Sequence, residues 1–439
     1  MGAMKRGGLV KASHVYTVLC AVEMLLVGAL FFDSVYLRDR PRSSSQVWVS
    51  IWGGGGRDFA RSIAYSEGFL YLTGDTTSYG PGDENVFLLK YGCDGGLIWN
   101  RTWGGEGFSM GRGIAASGGS VYVCGIRYAE NRSSALLIKF DDDGSPLWSR
   151  EWRSGSDAYG RGVALDSSGS IYVAGYTRGD GPETQSFLLK YTPDGSLRWT
   201  RLFNESDAET GWAVTVDEGV YLCSTTGVGA AQEVSTAAPR SRMTLRKLGY
   251  DGGLQWSRTW GSGLENYGLA VASQGGRVLQ AGYTRLVNGT ALAALLEYTV
   301  DGSLIHTSLV GDPPECIVWG AAAAGPYTYL VGQQMSPNYM DAKDAITAKV
   351  GGDGDVIWSR TWGGFHDDVA RSVAVEGDHV YVAGITYGLG EGGQVFLIAY
   401  GSPNPPWSPA ALIEPASLVV GAALILTVAL EGVRRRAHR

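Results

Sequence analysis

The stretch Trp-Asn-Arg-Thr-Trp-Gly-Gly at residues 99–105 returns in variant form along most of the chain, and its period constrains the fold more than any other feature. The first position of each copy is Trp48, Trp99, Trp148, Trp199, Trp256, His306 and Trp358, giving spacings of 51, 49, 51, 57, 50 and 52 residues. A repeat of this length is one supersecondary unit that cannot bury its own faces and stacks on its neighbours to do so. The 439 residues therefore predict one large repeat body rather than several unrelated domains.

Each unit reads as four short strands. In the first unit these are 61–64, 69–73, 86–91 and 97–103, with apolar residues alternating along the second. Asp94-Gly95 separates the third and fourth strands, and the dipeptide recurs as Asp143-Gly144, Asp194-Gly195, Asp251-Gly252, Asp301-Gly302 and Asp353-Gly354. Asp-Gly between alternating runs marks a tight hairpin, because both residues tolerate the positive φ that such turns need. The second strand is expected to end at a glycine, as in Tyr71-Leu72-Thr73-Gly74 and Tyr172-Val173-Ala174-Gly175. Four-stranded units repeated radially predict an all-β, seven-bladed propeller. The chain opens with an orphan fourth strand at 47–52 and ends with a unit at 371–400 that lacks one. Joined, the two complete blade seven, so the N-terminal strand closes the ring and leaves no sheet edge open. His306 and Val310 replace both aromatics of one fourth strand, which predicts the loosest blade there.

The units resemble SBBP-type β-propeller repeats of archaeal and bacterial surface proteins. The resemblance lies in Gly160-Arg161-Gly162-Val163-Ala164-Leu165-Asp166, in Ser168-Gly169-Ser170-Ile171-Tyr172-Val173-Ala174-Gly175-Tyr176-Thr177, and in Phe187-Leu188-Leu189-Lys190-Tyr191 with Asp194-Gly195 and Trp199. It extends over residues 46–400 and is weakest around 315–332. What it implies is a propeller and an envelope location, with no catalytic residue, metal or cofactor attached to the repeat.

Residues 15–32 form an apolar run preceded by Lys5, Arg6 and Lys11, as in a signal peptide or a signal anchor. Val27-Gly28-Ala29 offers a cleavage site, whereas continuation through Phe32 favours an uncleaved anchor; Glu23 within the run needs a partner in lipid. A second run at 416–430 precedes Arg434, Arg435, Arg436 and Arg439. Basic flanks stay in the cytoplasm, so both tails are expected inside and the propeller outside. The expected organisation is a tail and anchor at 1–37, a linker at 38–45, the propeller at 46–400, a Pro-rich linker at 401–409, a C-terminal membrane helix at 410–433 and a basic tail at 434–439. Glu414-Pro415-Ala416-Ser417-Leu418 with the run and arginines behind it resembles a PEP-CTERM sorting tail, which implies removal by a membrane peptidase. Ile413 stands where that pattern leads with proline, and a plain stop-transfer helix explains the rest.

Net charge is −7 and both ends are basic, so the propeller region is more acidic than the whole. Such a body excludes general nucleic-acid binding, which needs clustered Lys and Arg. Cys93, Cys124, Cys223 and Cys316 form no Cys-x-x-Cys pair, and Cys124 and Cys223 share one repeat position two units apart, so the fold rests on packing.

Arg61, Arg112, Arg161 and Arg371 hold one repeat position, the start of the first strand, in blades one, two, three and seven, which are contiguous once the ring closes. Converging arginines grip carboxylates or sulfates with forked hydrogen bonds. Trp212, Leu269 and Val318 are expected at the corresponding places in the other blades, and Asp58, Asp157, Asp367 and Asp368 as the internal partners that would make the arginines scaffold. Variable loops at 75–85, 225–242 and 332–344 should share the outward face with this arc.

Other motifs have plainer readings. Gly107-x-Ser109-x-Gly111 matches a nucleophile elbow but joins strand to strand, and the glycines at 388–393 precede a strand where a dinucleotide site needs a helix. Asp141-Asp142-Asp143 and Gly351 to Asp355 look like fragments of calcium loops but fill the hairpin slot. Asn100, Asn131, Asn204 and Asn288 begin glycosylation sequons. The expected function is a membrane-anchored module at the cell surface, binding lipid through both ends and an extracellular protein, peptide or glycan through the propeller. An envelope enzyme at the channel mouth or a structural surface-layer part are the alternatives.

Overall fold

The computed structural model describes residues 46–401 apart from 180–183, 204–207, 228–239, 313, 340 and 389–391. The chain starts in strand β1 (Gln46–Trp52) and continues through β2 (Asp58–Ser66), β3 (Phe69–Thr76), β4 (Asn85–Gly92) and β5 (Leu97–Trp103). Strands β2 to β5 form blade one, an antiparallel sheet in chain order, and the pattern repeats in blades two to six at 108–152, 157–203, 209–260, 265–310 and 316–362. Blade seven consists of Asp368–Glu376, His379–Thr386 and Gln394–Tyr400, with β1 as its fourth strand. Pairing runs from Gln46 opposite Tyr400 to Trp52 opposite Val395, so the expected closure of the ring is the observed one.

Among the described residues there is no helix, and hence none long and apolar enough to cross a membrane. The apolar runs at 15–32 and 416–430, both linkers and both tails lie outside the described residues, apart from Gly401 of the second linker.

The core sits between blades. Seven clusters of buried residues each join neighbouring sheets: Leu70, Leu72, Phe87 and Leu89 of blade one pack with Tyr381, Ala383, Val395 and Leu397 of blade seven. Each blade is thus stable through its neighbours rather than alone.

The Asp-Gly hairpin is one of the joints. Its glycines have φ of +78° to +86°, as the turn requires. They also lie under the preceding blade: a Cβ on Gly95 would fall 2.7 Å from Trp48, and one on Gly302 would fall 2.8 Å from Trp256. The indole nitrogens of Trp48 and Trp256 donate to Cys93 O and Val300 O, both at 3.0 Å. These tryptophans are half-buried, so each contributes about half of the ~6 kcal/mol that full burial of ~250 Å² would give at ~25 cal/mol per Å². In blade five His306 rests against Gly354 instead, while Val310 is buried in the interblade core.

One sequence expectation is corrected at the second strand. It does not end at its glycine, since β3 runs on to Thr76. Gly74 is needed for close approach: a Cβ there would lie 1.9 Å from Phe59 O on β2, and Gly125, Gly175, Gly282, Gly332 and Gly384 meet the same carbonyl of their own blades at 1.8–2.2 Å. A β-bulge interrupts the first strand of every blade beside this position, including blade four, where Ser224 stands in place of the glycine. The four described cysteines are free, and Cys124, Cys223 and Cys316 are buried.

Candidate functional site: the propeller channel

The bulge aims one side chain per blade into the central channel. On β2, Ala60 pairs with Gly74 and Ser62 with Thr73, leaving Arg61 as the extra residue. The same position holds Arg112, Arg161 and Arg371 in blades two, three and seven. In blades four, five and six it holds Trp212, Leu269 and Trp319. A bulge re-aims a side chain without disturbing the pairing on either side of it.

The arc of four arginines predicted from sequence is therefore real, with three corrections. It lies not at the strand start but three residues inside for Arg61 and Arg371 and four for Arg112 and Arg161, about 10–13 Å along the strand at ~3.3 Å per residue. Its apolar counterpart in blade six is Trp319; Val318 points into the core and is 2% exposed, because the register there is fixed by Gly320 rather than by the strand's first residues. And the four expected aspartates do not serve the arginines. Asp58 accepts from Gly54 N at 2.8 Å and Ser78 Oγ at 2.6 Å, Asp157 from Ser133 N at 2.7 Å, Asp367 from Lys343 N at 3.0 Å, and Asp368 from Gly364 N at 3.0 Å.

One carboxylate that sequence reasoning missed enters the arc. Asp75, on β3, accepts from Arg61 Nε at 2.8 Å and Nη2 at 3.3 Å, and lies 3.9 Å from Arg112 Nη1. Glu84 lies beside Asp75, and burial and then that neighbour push its acid above the usual carboxylate range.

The other three guanidiniums rest on softer groups. Arg112 Nη2 lies 3.1 Å from Met110 Sδ. Arg161 donates to Tyr176 Oη at 3.2 Å, with its guanidinium carbon 5.0 Å from the ring centre of Trp212. Arg371 stacks over Trp319 at 4.2 Å. The Nε of Arg112, Arg161 and Arg371 is buried with no hydrogen-bond partner among the described residues. Burial, and then the charge of Arg61, brings the Arg112 and Arg371 guanidiniums down to about 10. They remain cations at neutral pH, held at a cost that a bound anion would relieve.

Below the bulge ring come two tiers of small and apolar side chains. Ser62, Gly113, Gly162, Ala213, Ala270, Gly320 and Ser372 form the first, and Ile63, Ile114 and Val163 belong to the second. Three tiers from seven blades enclose a cavity of about 340 Å³.

The remaining motifs take structural places. Ser109 is buried in a strand and accepts from Arg127 at 3.0 Å, which is no nucleophile elbow. Asp142 binds Lys90 and Tyr71, both at 2.6 Å. Gly351 to Asp355 is a tight turn, with Gly354 N bonded to Gly351 O at 3.0 Å. Among the described residues no group of three or more His, Cys, Asp or Glu is arranged for a metal. Asn100, Asn131 and Asn288 are exposed; Asn204 lies outside the described residues, as does most of the loop at 225–242.

The profile of the SBBP family, described as a beta-propeller repeat, matches residues 153–182, which include Arg161 and its bulge. No curated protein matches the chain. Among solved structures, the WD40 β-propeller domain of Doa1 is 10% identical with a TM-score of 0.52, over 83% of this chain and 98% of that one. The β-propeller domain of the trilobed protease from Pyrococcus furiosus is 9% identical with a TM-score of 0.47, over 82% and 99%.

Proposed function

We propose that this seven-bladed propeller is a ligand-binding and protein-interaction module displayed outside the cell, tethered to the membrane at both ends, whose recognition element is the guanidinium arc of the channel. Its partner is an anionic extracellular protein, peptide or glycan. The observation that carries the reading is the surplus of cation: of the four arginines only Arg61 holds a carboxylate in its fork, and the other three keep a buried Nε without an acceptor among the described residues. A scaffold arginine of this fold looks different, as Arg277 shows by holding both oxygens of Glu297 at 2.7 and 2.9 Å.

The display outside the cell rests on the apolar runs and their basic flanks. Pairing of Gln46 with Tyr400 supports it, because the two ends of the propeller start side by side. Exposed Asn100, Asn131 and Asn288 are then available for glycosylation. Protease added to intact cells should digest the propeller and spare tags on both termini; a protected propeller overturns the topology. Full-length protein in detergent should bind acidic peptides or glycans, and Arg112→Ala with Arg161→Ala should weaken that binding without lowering the melting temperature. Unchanged binding with a lowered melting temperature would make the arc scaffold.

A further inference from the structure

We infer that the channel takes a small organic anion of split character, in which an oxyanion head is joined to an apolar ring or chain. The head lies against Arg112, Arg161 and Arg371, and the body against Trp212, Leu269 and Trp319. This rests on reading the arc as an anion receptor, and it adds the other half of the ring.

The charged and apolar sectors are each contiguous. Blades seven, one, two and three supply guanidiniums, and blades four, five and six supply two indoles and a leucine, all at one bulge position and therefore at one depth. At both junctions an arginine meets a tryptophan: Arg371 over Trp319 at 4.2 Å, and Arg161 beside Trp212 at 5.0 Å. The indole nitrogens are already satisfied, Trp212 Nε1 by Thr225 Oγ1 at 3.1 Å and Trp319 Nε1 by Gln333 Oε1 at 3.2 Å. What these tryptophans still offer the channel is apolar ring surface.

Asp75 occupies the fork of Arg61, which leaves the head to the other three. An inorganic anion would satisfy the cations and leave the tryptophan sector wet, while a neutral apolar molecule would leave the cations unmatched. Only a ligand with both parts answers both sectors. The cavity of about 340 Å³ lies at the small end of the ~300–1,000 Å³ typical of small-molecule sites, so a larger partner would reach the arc only through one group of this split kind.

The test uses the full chain in detergent, with calorimetry against benzoate, acetate and benzyl alcohol. Benzoate should bind at least about tenfold more tightly than either of the others, the size expected when a ring is buried beside a matched charge. Arg371→Gln should weaken benzoate and acetate alike. Trp319→Leu should bring benzoate down to the level of acetate and leave acetate unchanged, with melting temperatures confirming that both variants fold. Arg161→Gln repeats the first experiment at the other junction should Arg371→Gln fail to fold. Acetate bound as tightly as benzoate, and lost with the arginine, overturns the split ligand and leaves the anion receptor standing. Acetate binding indifferent to Arg371 and Arg161 overturns both, and so does a wild-type channel that binds neither anion.

Discussion

Blades four and seven place an acid at the same point, the third residue before the bulge, and surround it in opposite ways. In blade four Glu209 is held by both Nη atoms of Arg246, with Nη2 at 3.0 Å from Oε2, and by Ser186 Oγ at 2.7 Å. Arg246 stands where blades one and three have Leu89 and Leu189, over the ring of Phe203 at 4.9 Å. In blade seven Asp368 is as deeply buried, yet among the described residues no cation holds it; it has Gly364 N at 3.0 Å from Oδ2 and the Thr386 hydroxyl to lower its pKa. Asp344 of blade six lies near enough to raise it further, and burial followed by such neighbours brings Asp368 up to about 7. Three residues on, Arg371 has an aromatic ring for company and no carboxylate partner among the described residues. Matched charges belong to the frame, and unmatched ones are where the fold keeps groups able to titrate or to receive a ligand.

The sharpest way to break this comparison is Glu209→Ala. It should cost about 3–5 kcal/mol in urea unfolding, because the buried Arg246 loses the carboxylate that holds both its Nη atoms; a loss below ~1 kcal/mol would remove the distinction between the two blades. Gly384→Ala, whose Cβ would sit 2.2 Å from Val369 O, should cost about 1–3 kcal/mol through a backbone shift and also weaken anion binding, since that contact supports the bulge carrying Arg371. Full binding with lowered stability would show that the bulge does not aim the arginine.

Asp368→Asn tests the unmatched acid. A carboxyl whose folded pKa is about 7 against 3.8 unfolded binds more protons in the native state between those values, so wild-type stability falls as pH rises from ~4 to ~7 and this contribution is flat above. The variant should therefore melt higher than wild type at pH 8, with the advantage shrinking towards pH 5; an advantage independent of pH would rule out the titration. The smallest stability effect is expected from Arg371→Gln, within about 1 kcal/mol of wild type because no carboxylate loses a partner. A loss as large as that of Glu209→Ala would place Arg371 in the frame after all.

Blade count, hairpins and ring closure were legible in the sequence because each rests on a local signal: Trp99 and its counterparts for the period, Asp94-Gly95 for the turn, and the orphan strand ahead of Gly53 for the closure. The arginines were legible as a repeat position, but their depth was not, since the bulge appears only in the register between the first and second strands, Ala60 opposite Gly74 and Ser62 opposite Thr73. Trp319 was displaced by one residue for the same reason. Its neighbour Gly320 follows the bulge as Gly113 and Gly162 do, and aligning on that small residue would have found it. Asp75 lies 14 residues from Arg61 and Arg246 lies 37 from Glu209; such pairings follow from strand register, which a single sequence does not display.

The closing strand has a kinetic consequence. β1 is made first and its partner, Gln394–Tyr400, last, so the ring cannot shut until the final blade has been synthesised. Until then Trp48 has Gly95 of blade one to rest on, while β1 has no sheet to join. At the other side of the same seam Trp358 finds no Asp-Gly turn ahead of it and meets Tyr400 at 6.2 Å instead. Contacts between residues so distant in sequence form slowly, because the chain entropy is lost before the contact returns anything. The seam is then the last joint to form on folding and, by microscopic reversibility, the first to part on unfolding, which makes blade seven, the carrier of Arg371 and Asp368, the blade whose hydrogen exchange should report the opening of the ring.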